Sequence, residues 1–68
     1  MNKIAENLKY LRKLKSISQR EIAKELNISH GAWGNYEAGT REPSIEMLIK
    51  ICDYFDVSMD FLVGRENY

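Results

Sequence analysis

The chain has one histidine, His30, and one cysteine, Cys52, among ten basic and ten acidic residues that form no converging carboxylate cluster. A lone histidine has neither a partner base nor a second ligand, so acid–base, nucleophilic and metal-assisted catalysis lack a site. The expectation is therefore no enzyme, no metal and no cofactor. What remains is hydrogen bonding to another molecule. His30 and Asn35 supply an imidazole and an amide, and Arg41 a guanidinium group. Asparagine can pair with N6 and N7 of adenine, histidine can donate to a guanine edge or a phosphate, and arginine can bind phosphate. Such groups recognise a ligand only when a rigid frame presents them together.

The frame is legible between Gln19 and Gly39. Ser18 and Glu21 form a capping box, in which the serine hydroxyl accepts from the third helical N–H and the glutamate reaches back to the cap. A helix starting at Gln19 follows, with Ile22, Ala23 and Leu26 inward and the small Ala23 where a second helix must cross closely. Asn27 tolerates the left-handed conformation and can turn the chain. Ile28 plugs the corner. Ser29 is a second N-cap, opening a helix from His30 to about Ala38 that Gly39 ends. Two short helices at a tight turn fit helix-turn-helix spacing, whose other reading is an αα-hairpin serving only as core.

Elsewhere, Asn2 caps a first helix with Ile4, Leu8, Leu11 and Leu14 at three- and four-residue spacing. After a loop holding Thr40, Arg41 and Pro43, Ser44 opens a fourth helix with Ile45, Leu48, Ile49, Cys52 and Phe55 inward. Asp56 and Val57 turn the chain into a short helix, Met59 to Val63, that Gly64 ends. The expected fold is all-α, one compact bundle of five short helices over residues 1–68. A single cysteine excludes an internal disulfide and fits a reducing compartment. Every apolar run is too short to span a membrane, so a soluble, cytoplasmic protein is expected. Net charge is zero but polarised: residues 1–43 carry eight basic and five acidic groups, residues 44–68 two and five. The basic half holds the helix pair, which implies a modest salt dependence for any nucleic-acid ligand.

The run Gln19-Arg20-Glu21-Ile22-Ala23-Lys24-Glu25-Leu26, then Ile28-Ser29, Tyr36-Glu37-Ala38-Gly39 and Pro43-Ser44, resembles the Cro/repressor (XRE-type) family of helix-turn-helix regulators. Asp56-Val57-Ser58-Met59-Asp60-Phe61-Leu62 resembles that family's fifth helix. The resemblance implies a lambda repressor-like DNA-binding domain, acting as a homodimer on a near-palindromic site of double-stranded DNA, with helix 30–38 in the major groove. By position it gives Gln19 a phosphate contact and turns Ser29, His30 and Asn35 toward DNA, with Arg20, Thr40 and Arg41 around them. It pairs Arg12 with Glu37, a bidentate geometry that suits a carboxylate on an inner helix edge. Family members often dimerise near the C-terminus, which makes Met59, Phe61, Val63 and Tyr68 a candidate interface.

The chain departs from the pattern on its second motif helix. On a wheel at about 100° per residue from Trp33, Tyr36 and Ala32 fall inward, while Gly31, Gly34, Asn35 and Ala38 fall on the opposite side. That outer face is almost bare. Each glycine costs about 1 kcal/mol against alanine inside a helix, so two of them require a reason. Close approach to the groove floor is one reason. A protein-facing surface is the rival, which would make the chain an antitoxin-like or inhibitor module with a regulatory protein partner. The first reading is a repressor working by occlusion.

Overall fold

The computed structural model describes residues 3–65. Five helices follow one another: α1 (Lys3–Leu14), α2 (Gln19–Glu25), α3 (His30–Ala38), α4 (Ile45–Phe55) and α5 (Met59–Leu62). No strand occurs among the described residues. Four of the starts are set by serine. Ser18, Ser29, Ser44 and Ser58 each accept a hydrogen bond from the backbone N–H three residues on, satisfying a donor that the helix leaves orphaned. Only the Ser18 cap is reciprocal, its own N–H donating to Glu21 at 2.7 Å.

The turns use left-handed backbone where the sequence supplies residues that tolerate it. Asn27 has φ 59° between α2 and α3, and Gly39 has φ 78° at the end of α3. Asp56 (φ 56°) closes α4 and Ser16 (φ 58°) turns the chain between α1 and α2. Two side chains brace these corners. Lys50 of α4 donates to the Leu26 carbonyl at 3.0 Å, and the Asn7 amide donates to the carbonyls of Phe61 and Leu62, tying α1 to the end of α5.

Trp33, Leu8, Ile22, Ile51 and Leu62 fill the centre, with α1 against α3 and α5, α2 against α3, and α4 against α5. Several sequence expectations are corrected here. Leu14 is 56% exposed, and Ala5 takes the inward place on α1. On α4, Ile45 (73%) and Ile49 (49%) face solvent, while Ile51 is fully buried beside Leu48 and Cys52. The fifth helix ends at Leu62, one residue short of Val63. Phe61, named in the candidate dimer interface, is 7% exposed and belongs to the core. The Asn2 cap and Tyr68 lie outside the described residues. No helix among the described residues is long and apolar enough to cross a membrane.

Candidate nucleic-acid interface

α3 is anchored by one carboxylate. Glu37 sits one turn after Trp33, and this spacing puts both side chains on the same helix face. The Glu37 side chain is only 5% exposed, and burying a carboxylate is costly unless every lone pair is used. They are used. Arg12 Nε and the Trp33 indole N–H donate to Oε2, while Arg12 Nη2 at 3.2 Å and Gln19 Nε2 at 3.1 Å donate to Oε1. Four donors fill the roughly four acceptor positions of an ionised carboxylate. Arg12 also donates through Nη1 to the Ile17 carbonyl at 2.9 Å. A single charge thus joins α1, the N-terminus of α2 and the inner edge of α3.

The electrostatics follow from that geometry. Burial pushes the Glu37 carboxyl up, but the hydrogen bonds from Arg12, Gln19 and Trp33, with the Arg12 charge, outweigh it and hold the group below its ordinary value. The hydrogen bond to Glu37 raises Arg12 against the opposing effect of its own burial. The pair is ionised throughout the neutral range.

The outer side of α3 is different in kind. His30, Gly31, Asn35 and Ala38 are exposed and Gly34 is half-buried. The His30 imidazole and the Asn35 side-chain amide make no hydrogen bond to other described residues. A Cβ built on Gly31 meets nothing within 4 Å, and one on Gly34 meets only Gln19 Oε1, at 3.8 Å. Neither glycine is required by intramolecular packing.

The remaining predicted residues divide between committed and uncommitted. Ser29 accepts from Ala32 N at 3.0 Å as the cap, which leaves its hydroxyl proton available. Thr40 donates its hydroxyl to the Asn35 carbonyl at 3.3 Å and its N–H to the same oxygen at 3.1 Å, closing the end of α3. Arg20 and Arg41 are exposed with no partner among the described residues. Gln19 stands beside Glu37 and not in open solvent. Met59 and Val63 are half-buried on the α5 side, far in the chain from the motif. Sequence reasoning missed two members of the Glu37 cluster. The spacing of Trp33 and Glu37 carried a usable signal; the approach of Gln19 across the turn carried none. Among the described residues no group of three or more His, Cys, Asp or Glu side chains is placed to hold a metal ion.

Two short helices at a tight turn, α3 tied to α1 by the Arg12–Glu37 ion pair and to the start of α2 by Gln19 and presenting uncommitted hydrogen-bonding groups on its outer side, define a helix-turn-helix domain. The family follows from comparison with known proteins. Residues 8–62 match the helix-turn-helix family model, and the chain belongs to that family, of the Cro/repressor (XRE) type. It is 43% identical over 63 residues to the uncharacterized HTH-type transcriptional regulator YqaE of Bacillus subtilis, covering 93% of this chain and 54% of that one. It is 41% identical to the HTH-type transcriptional regulator AnsR of the same organism, over 91% and 53% of the two chains. It is 40% identical to the cryptic phage CTXphi transcriptional repressor RstR of Vibrio cholerae, over 93% and 56%. The chain spans about half the length of these relatives.

Proposed function

We propose that this chain is a sequence-specific DNA-binding transcriptional regulator, a repressor acting as a homodimer on a near-palindromic operator. α3 enters the major groove and α2 crosses the phosphate backbone, with half-sites about one helical turn apart. One observation carries the reading. The inner edge of α3 is fixed by a saturated buried carboxylate, while the Asn35 and His30 side chains on its outer side have no hydrogen-bond partner among the described residues. Asn35 reads adenine and His30 a guanine edge or a phosphate. Arg20, Arg41 and the Ser29 hydroxyl take backbone phosphates. The relatives' names, two transcriptional regulators and a phage repressor, agree with this role. Repression by occlusion of polymerase needs no chemistry, and Met59 and Val63 belong to the proposed dimer contact.

Selection from random duplexes on the purified protein, repeated at two salt concentrations, tests the reading. A symmetric enriched motif is the expected result, with a shallow salt slope because few basic groups reach the backbone. Enrichment of no motif, with weak binding at low salt, would overturn it and favour a protein-binding module.

A further inference from the structure

We infer that the C-terminal end of α1 is a docking surface for a second copy of this chain: Ile45 of that copy enters the hollow between Leu14 and Phe55, and its Glu46 meets Lys15. The contact is separate from the one proposed at Met59 and Val63 and does not depend on the DNA-binding reading. Exposed apolar residues scattered singly are ordinary on a protein surface. Here the large exposed ones among the described residues are Tyr10, Leu14, Ile45 and Ile49. They fall into two pairs at four-residue spacing, which sets each pair on one face of its helix.

The two faces are opposite in charge and in shape. Lys9, Lys13 and Lys15 are exposed along the α1 pair, and Glu6, the carboxylate of that helix, lies 3.9 Å from Lys3. Glu46 and Asp53 are exposed along the α4 pair, while Lys50, the cation of that helix, donates to the Leu26 carbonyl. Arg41 and Glu42 in the preceding loop cancel. Beside Leu14 the surface is concave, a hollow of about 250 Å³ lined by Leu11, Leu14, Lys15 and Phe55. The Lys15 ammonium rests 4.4 Å from the centre of the Tyr54 ring, at the edge of that hollow. Ile45, 73% exposed, is the convex counterpart. It opens α4 and Phe55 closes it, about 15 Å apart along the axis at 1.5 Å per residue, so the Ile45 of the same chain cannot fill the hollow. Pairing α1 with α1 would oppose lysines and pairing α4 with α4 would oppose carboxylates. Complementarity therefore selects α1 of one copy against α4 of the other.

Sedimentation equilibrium of the chain at concentrations up to about 1 mM, the range of weak association, tests the contact without DNA. Wild type, Leu14→Glu, Ile45→Lys and an equimolar mixture of the two variants are compared. The wild-type average mass should rise with concentration, and rise less at high ionic strength, where exposed charges are screened. Each variant alone should associate about ten-fold more weakly, because it sets like charges against each other across the contact. The mixture should regain the association, since Leu14→Glu keeps an intact α4 face and Ile45→Lys an intact α1 face. A contact through Met59 and Val63 would respond to neither substitution, so two variants that associate like the wild type overturn the inference. A mixture no stronger than its separate components overturns it as well. Both substituted side chains are exposed, so both variants should fold, as circular dichroism will show. The wild-type series stands without them: a mass that does not rise, or a rise indifferent to salt, also overturns the inference and leaves the hollow to a different partner.

Discussion

The two sides of α3 differ in how their polar groups are used. On the inner side, Glu37 accepts from three residues of three different segments, and Trp33 is fully buried against the core. On the outer side, the Asn35 and His30 side chains have no hydrogen-bond partner among the described residues, and Gly31 has no side chain at all. Internal hydrogen bonding is concentrated where the helix meets the bundle, and side-chain groups without a partner among the described residues lie where it does not. If this division is real, inner substitutions should move folding and outer substitutions should move only binding.

The largest effect is expected from Glu37→Ala. It strands the Arg12 guanidinium and the Trp33 indole N–H, whose side chains are mostly or wholly buried. Removing one partner of a buried pair costs about 3–5 kcal/mol, a large share of what a domain this small possesses. Urea unfolding followed by far-ultraviolet circular dichroism should show the midpoint collapse. A loss under about 1 kcal/mol, the worth of an exposed ion pair, would break the comparison on its inner side.

A milder version of the same perturbation comes from acid. Because the folded Glu37 carboxyl lies below its ordinary value of 4.5, its contribution is fully present above that pH. It is lost as pH falls through the lower folded value. Protonation removes the charge but keeps an acceptor oxygen, so the loss should be smaller than in Glu37→Ala. Glu21 is shifted the same way by its bonds to Ser18 but is fully exposed, so it contributes little. Unfolding free energy measured from pH 7 downward should therefore fall in the wild type and fall much less in Glu37→Gln. Equal slopes in the two proteins would place the acid-sensitive group elsewhere.

Much of this division was legible in the sequence, and the exceptions have physical causes. The serine caps, Asn27 and Gly39 are local signals, so the ends of α2 and α3 could be read from a few residues each. The phase of α4 could not. Its run Ile-Glu-Met-Leu-Ile-Lys-Ile-Cys is apolar on more than one stripe, and only the neighbouring helices decide that Ile51 goes in while Ile45 and Ile49 stay out. The burial of Phe61 was not legible, because a four-residue helix shows no periodicity. Gln19 was the subtlest case. One of its two amide N–H groups is engaged by a carboxylate eighteen residues away in sequence, and no local pattern reports that.

On the outer side, Asn35→Ala should leave stability within about 0.5 kcal/mol, because its exposed side chain bonds to no described residue and its carbonyl, which accepts from Thr40, is unchanged by the substitution. Preference at one base pair should relax by about 1–3 kcal/mol, the value of a bidentate contact. Thermal unfolding beside a repeat of the duplex selection reads both quantities. Uniform weakening across sequences would recast Asn35 as a backbone contact.

Gly31→Ala carries the smallest change and the sharpest sign. The backbone at Gly31 lies outside the positive-φ region and an added Cβ meets nothing within 4 Å, so alanine fits without strain. The fold should gain about 1 kcal/mol from helix propensity, raising Tm by roughly 4–8 °C for a domain of this size. If DNA packs against this face, the new methyl stands between helix and groove, and affinity should fall while stability rises. A gain in both would mean that the bare surface at Gly31 meets no ligand. A gain in stability with a loss of binding is a trade-off that intramolecular contacts alone cannot produce, because among the described residues nothing lies within 4 Å of the added atom.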